Sequence, residues 1–267
     1  MADLFRIDYT RLDRPEVLRV LFHPRGEVGR RQAPPGATDV LIPTADGCRI
    51  GGTFHTTHPS TPNLLFFHGN GEIAADYDDL GPIYNRLGLN FLAVDYRGYG
   101  RSTGSPTITA MMQDCHAIFA FTRNWLTAEG FTGPVIVMGR SLGSASALEL
   151  ASRHKERIAG LVVESGFAFA APLLRLLGID PQAIGFNEAD GFGNIEKIRD
   201  WNKPALIIHA EFDHIIAFSE GEALYHACPS PEKRLLKIPG ADHNDILYRG
   251  FDAYLSAVKE LADRTLR

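Results

Sequence analysis

Val135-Ile136-Val137-Met138-Gly139-Arg140-Ser141-Leu142-Gly143 is the stretch on which the reading of this chain turns. Residues 135–138 form a short apolar run without alternation, as expected of a strand buried on both faces. Residues 144–154, rich in Ala and Leu, read as a helix. Between them lies a Gly-x-Ser-x-Gly pentapeptide, so Ser141 falls on a sharp strand-to-helix turn. Such a turn needs small residues two before and two after the serine, where the chain folds back on itself, and Gly139 and Gly143 supply them. A serine N-cap would account for Ser141 but would leave both glycines unexplained. The start of the following helix also aims the Leu142 N–H at whatever Ser141 attacks, making it a candidate donor to an oxyanion.

Working outward, short apolar runs alternate with segments of helical spacing, the signature of strand and crossover-helix units in a mostly parallel sheet. Strands are expected at 64–67, 91–94, 135–138, 161–163, 205–208 and 235–238. Ahead of them, residues 40–42 and 49–54 flank Ala45-Asp46-Gly47 and read as a leading hairpin. Ile73, Tyr77, Leu80, Ile83, Tyr84 and Leu87 recur at helical spacing, as do Ile108, Met111, Cys115, Ile118, Phe119 and Leu126. Residues 246–266 carry one apolar stripe and read as a closing helix. Residues 1–37, ending in Pro34-Pro35-Gly36, are a lead-in, and residues 38–267 form the α/β domain. Residues 167–200 break the rhythm and read as a short cap insertion whose Phe167, Phe169 and Leu176 are candidate substrate contacts, with packing onto the body as the competing explanation for its leucines.

A serine nucleophile needs an imidazole to take its proton and a carboxylate to orient that imidazole. His243 lies in the loop Pro239-Gly240-Ala241-Asp242-His243 after the last strand, at the sheet end where ligands bind. His154 and His226 sit late in helices and are expected in solvent; His209 ends a strand and is expected to be packed. Asp213, in the loop after strand 205–208, is one strand away from the histidine loop and is favoured over Glu211, Asp242 and Asp245. His68-Gly69-Asn70-Gly71 follows strand 64–67, and its glycines let a main-chain N–H approach the substrate; Asn70 is the candidate second oxyanion donor, and His68 is expected to shape the loop.

Taken together, the His68-Gly69-Asn70-Gly71 loop, Asp95-Tyr96-Arg97-Gly98-Tyr99-Gly100-Arg101-Ser102, the Gly139-Arg140-Ser141-Leu142-Gly143 turn and the acid and histidine loops resemble the α/β-hydrolases, specifically the serine aminopeptidase-like and protein-depalmitoylase-like groups. The resemblance spans roughly residues 38–265. It implies the α/β-hydrolase fold, a Ser141–Asp213–His243 triad, an oxyanion N–H from the residue after His-Gly, which is Asn70, and a structural role for the Asp95 turn. Residues 1–31 carry neither the cysteine cluster nor the membrane helix of membrane-associated depalmitoylase relatives.

The implied activity is acyl transfer without cofactor or metal, with small-molecule carboxylic esters as leading substrates, thioesters next, and peptides compatible with the same triad. A dehalogenase would need a carboxylate at position 141. A fold that binds a small molecule without turnover is the alternative from another class, and the complete Ser, Asp and His set argues against it.

Composition narrows the partners further. With 45% hydrophobic and 22% charged residues in 267, the chain has the make-up of a globular domain. A formal net charge of −5 with scattered basic residues lacks the footprint of a nucleic-acid binder. No apolar run is long enough to span a bilayer, so integral membrane association is not expected. The charged residues 1–31 lack a secretory core, which points to the cytoplasm. Cys48, Cys115 and Cys228 match neither a disulfide framework nor a zinc site.

Overall fold

The computed structural model describes residues 7–29 and 32–267. Its centre is one eight-stranded sheet in the order β1-β2-β4-β3-β5-β6-β7-β8. The strands are β1 (Ala37–Pro43), β2 (Arg49–His55), β3 (Asn63–Phe67), β4 (Asn90–Val94), β5 (Val135–Arg140), β6 (Gly160–Glu164), β7 (Ala205–Ala210) and β8 (Lys233–Ile238). The β1–β2 hairpin turns through Gly47 at φ 85°, and β2 pairs antiparallel with β4. From β4 to β8 every pairing is parallel.

Strands β3 to β7 are buried along their whole length because each faces two cores. Leu65, Phe67, Val137, Val163 and Ile207 point to one, and Leu64, Phe66, Ile136, Val162 and Leu206 to the other. That is why they lack polar alternation. The first core is covered by α1 (Pro15–Leu21), α3 (Ile108–Ala128), α4 (Gly143–Arg153), α6 (Asn194–Ile198) and α7 (Phe218–Ala227); the second by α2 (Gly81–Arg86), α8 (Ile246–Arg249) and α9 (Phe251–Arg264). α5 (Ala170–Leu176) belongs to the insertion. Edge strand β8 carries Lys233, Arg234 and Lys237, charges that discourage pairing with another chain.

Two expected helices are interrupted. The 73–87 periodicity divides into a 3₁₀ turn at Ala74–Tyr77 and α2, whose first residues are Gly81 and Pro82. The closing helix breaks at Gly250, where a Cβ would lie 2.6 Å from Ile238 Cδ1. Within the insertion, α6 is fastened to the body by Lys197, whose ammonium meets Glu149 of α4 at 2.7 Å. Of the expected lead-in, residues 1–6 and 30–31 lie outside the described residues. Of the remainder, Leu12, Val17, Leu21 and Phe22 are buried in the first cluster. Asp13 Oδ1 accepts from Ile108 N at 2.6 Å and so caps α3.

The Glu149 contacts make an acid-stability prediction. Burial alone would raise its pKa, but the hydrogen bond to His116 and the Lys197 charge overcome that and hold it at about 2. A carboxyl depressed on folding contributes stability that is complete above its unfolded value and is lost as pH falls toward the folded value. Burial lowers the Lys197 pKa at the same time, so the pair contributes less than the carboxyl alone. Chemical denaturation between pH 5 and pH 2 should therefore cost the wild type up to about 3 kcal/mol more than Glu149→Gln over the same window.

Candidate active site

β5 ends at Arg140, and the chain reverses at Ser141 with φ 51°, a left-handed conformation in a residue that is not glycine. The strain, about 1–3 kcal/mol, is held by a hydrogen bond from Ser141 N to Glu164 O on β6 at 2.8 Å. Both flanking glycines are sterically required. A Cβ on Gly139 would sit 2.2 Å from Gly143 O, and one on Gly143 would sit 2.2 Å from Phe67 O. The reversal lies at the carboxyl ends of β3 and β5, where the chain, having built β4 to one side of β3, crosses to build β5 on the other. Such a switch point opens a crevice in a parallel sheet.

Around it the other loops converge. His243, from the loop after β8, places Nε2 3.0 Å from Ser141 Oγ. Its Nδ1 lies 2.7 and 2.9 Å from the two carboxylate oxygens of Asp213, from the loop after β7. Asp213 Oδ1 also accepts from Ile215 N and Ile216 N at 3.0 and 2.8 Å. Burial pushes the Asp213 carboxyl up, yet the hydrogen bond to His243, the imidazole beside it and the Ile216 N–H together hold it below its usual value. An ionised Asp213 accepts from Nδ1–H, which leaves the Nε2 lone pair facing Ser141 Oγ.

The structure thus brings Ser141, His243 and Asp213 into one hydrogen-bonded chain. The competing acids lie elsewhere: Glu211 receives Lys237 Nζ and Gly240 N, and Asp242 and Asp245 shape the turn that contains His243. His209 is fully buried behind Asp213 and bonds Ile216 O through Nε2; burial lowers its pKa. His226 is exposed. His154 is not simply solvated: its Nε2 lies 3.0 Å from His116 Nδ1, and its ring packs on Phe119.

Asn70 and Leu142 both line the cavity of about 240 Å³ that opens on Ser141 and His243. Among the described residues, neither backbone N–H donates to a protein acceptor. The neighbouring Gly69 N is engaged by Glu72 Oε2 at 2.6 Å. Glu72 in turn accepts from Arg140 Nε at 2.9 Å and from Tyr77 OH at 2.6 Å. Arg140 goes on to donate to Glu164 Oε1 at 3.0 Å and to His243 O at 2.9 Å. Sequence reasoning missed Arg140 and Glu72; the available signal was a charged residue inside an otherwise apolar strand end.

The walls of the cavity differ from expectation. Leu173 and Leu177 of the insertion line it, with Leu21 and His23 of the lead-in and Ile215. Phe167, Phe169 and Leu176 instead line a neighbouring hollow of about 250 Å³, which shares Leu173 and Ile215 with the first. Phe167 is buried against Phe192, and Leu176 is half-exposed.

Comparison with known proteins agrees with this architecture. Residues 58–179 match the family described as serine aminopeptidase, S33. The chain is 33% identical over 232 residues to alpha/beta hydrolase domain-containing protein 17B of Homo sapiens, spanning 84% of this chain and 74% of that protein. It is 32% identical over 225 residues to an uncharacterised protein of Mycobacterium tuberculosis, covering 79% of this chain and 74% of that one. This chain belongs to the α/β-hydrolases. Solved structures agree on the fold: a Pyrococcus furiosus esterase superposes with TM-score 0.73 at 20% identity, covering 90% of this chain and 98% of its own. A soluble variant of the Saccharomyces cerevisiae monoglyceride lipase gives 0.68 at 20% identity over 85% and 95%. This α/β-hydrolase is accordingly an enzyme of the hydrolase class, and no helix among its described residues is long and apolar enough to cross a membrane.

Removing the guanidinium that joins these loops should be severe. Arg140→Met leaves the buried Glu164 and the partly buried Glu72 without their counter-charge and should cost up to about 3–5 kcal/mol of stability. Urea unfolding measures this. A loss below about 1 kcal/mol, the range of an exposed ion pair, would mean that the loops hold one another without it.

Proposed function

We propose that this protein hydrolyses carboxylic esters of small to medium acyl chains through an acyl-enzyme on Ser141. The observation that carries the reading is the 3.0 Å approach of His243 Nε2 to Ser141 Oγ while Nδ1 is held by Asp213. In this scheme Ser141 Oγ attacks the ester carbonyl as His243 takes its proton, and Asp213 stabilises the imidazolium. The tetrahedral oxygen accepts from the N–H groups of Asn70 and Leu142. Collapse breaks the bond to the alcohol, which leaves with the proton from His243. Water, deprotonated by His243, then attacks the acyl-enzyme, and the acid departs as Ser141 regains its proton.

The leucine and isoleucine walls of the cavity support an apolar acyl group. Thioesters fit the same chemistry, since the triad does not encode the leaving group. Phe167, Phe169 and Leu176 then belong to a neighbouring subsite, with Leu173 and Leu177 nearer the reacting atoms.

A fluorophosphonate probe should label the wild type at Ser141, and Ser141→Ala should abolish both labelling and turnover while leaving the circular dichroism spectrum unchanged. Labelling that persists in the mutant would move the nucleophile; a wild type that neither labels nor turns over would favour a binding protein. Asp213→Asn should lower kcat by about 10⁴-fold, because the amide favours the wrong imidazole tautomer.

With p-nitrophenyl esters, kcat/KM should climb by up to about fourfold per CH₂ from acetyl until the cavity is full, then fall. Leu173→Ala should move the optimum further than Leu176→Ala does. A profile that is flat, or moved only by Leu176→Ala, would place the acyl chain elsewhere.

A further inference from the structure

The lead-in approaches the oxyanion loop at one place, and the contacts there are specific. His23 N donates to Asn70 Oδ1 at 2.9 Å and lies 2.8 Å from Tyr99 OH. Tyr99 OH donates to the same Asn70 Oδ1 at 2.7 Å. With two donors on its oxygen, the Asn70 amide has a fixed orientation, so the atom facing His23 is Nδ2, a donor. Asn70 Nδ2 lies 2.9 Å from His23 Nδ1. That nitrogen must therefore be the acceptor and carry no proton, which assigns His23 the Nε2–H tautomer.

The strap that carries His23 is itself fastened on both sides. Upstream, Leu21 and Phe22 are buried in the main core. Downstream, Gly100 N donates to Arg25 O at 2.9 Å and Glu27 N to Gly100 O at 3.1 Å. Arg25 Nε donates to Gly71 O at 2.7 Å, and its guanidinium pairs with Asp76. Residues 70 and 71 are thus held from outside the sheet, while Glu72 holds Gly69 from beneath.

We propose that His23 is a positioning residue for the oxyanion donor: its Nδ1 and backbone N–H clasp the Asn70 side chain and so set the direction of the Asn70 main-chain N–H. The inference rests on the ester-hydrolase reading for its consequence in turnover, though not for the clasp itself. An isolated histidine at the rim would need no particular nitrogen as acceptor. The clasp does, and this distinguishes the two chemically.

His23→Asn places an amide oxygen where Nδ1 stands and keeps the acceptor; His23→Phe keeps a ring and removes it. With a p-nitrophenyl ester, His23→Phe should lose about tenfold in kcat with KM within about twofold, since an oxyanion donor acts on the transition state rather than on bound substrate. His23→Asn should recover most of that loss. The ¹⁵N shifts of His23 in the wild type should show an unprotonated Nδ1, and hydrogen exchange in a peptide covering residues 69–72 should be faster in His23→Phe than in either other protein. Equal kcat in wild type and His23→Phe, or a protonated Nδ1 at neutral pH, overturns the proposal. Should the wild type hydrolyse no ester, the ester reading fails, and the tautomer and exchange measurements still decide the clasp.

Discussion

A guanidinium stripped of water is costly unless its donors and its charge are both answered, and in this fold Arg140 is answered by two loops and the end of a strand. Its side chain is 9% exposed. Glu72 comes from the loop after β3, Glu164 from the end of β6, and the His243 carbonyl from the loop after β8. Each carboxylate is in turn bound by a tyrosine hydroxyl, the partly buried Tyr77 on Glu72 and the buried Tyr254 on Glu164. Displacing the Glu72 loop or the end of β6 strips a charged partner from the cluster, and displacing the His243 loop strips a carbonyl acceptor. The positions of the loop after β3, the elbow and the His243 loop are therefore coupled through charge-assisted hydrogen bonds beneath Ser141, where solvent screens little.

The elbow needs that support because it is strained. A left-handed serine between two glycines that tolerate no Cβ would relax in isolation. Here the helix that follows is anchored along its length, with Ala145, Ala147, Leu148 and Leu150 buried, and Ser141 N is bound to β6. On the acid side the same logic recurs without a counter-cation: the Asp213 carboxylate is received by two consecutive main-chain N–H groups and by His243, with His209 packed behind it. Ser141 is thus held by backbone geometry and buried charge, and Asp213 by oriented N–H groups.

What was legible in the sequence follows from locality. Strands β3 to β7 declare themselves because burial on both faces removes polar alternation, and the elbow because its constraint spans five residues. Asp213 and His243 could be found because adjacent parallel strands deliver their loops to the same edge. The lead-in could not be read, since its decisive contacts join residues far apart: Asp13 with Ile108, and His23 with Asn70. Nothing in the local pattern of residues 12–25 encodes such partners. The break at Gly250 likewise depends on Ile238, a contact invisible to helical periodicity. Around α5, apolar content marked the segment, but the phase of the helix decides which leucines line the cavity with Ser141. Leu173 and Leu177, one turn apart, share the face toward the cavity, whereas Leu176 falls outside it.

The cavity consequently has two unlike walls. The lead-in wall is tied by core side chains and by hydrogen bonds to the oxyanion loop and to Gly100. The α5 wall is a seven-residue helix with only Ala170 and Leu174 buried, too short to be stable by itself. Its start is held by carboxylates instead: Glu220 receives Ala168 N and Phe169 N, and Glu188 receives Ala170 N and Ala171 N. Burial raises the Glu188 pKa. Local opening is easiest where a segment buries little apolar surface, and enlarging the cavity therefore costs least at α5. Under the proposed ester hydrolysis, a bulkier acyl group would displace Leu173 toward the neighbouring hollow while the wall beside Asn70 stays in place, so substrate size would be set by a different wall from the one that serves the chemistry.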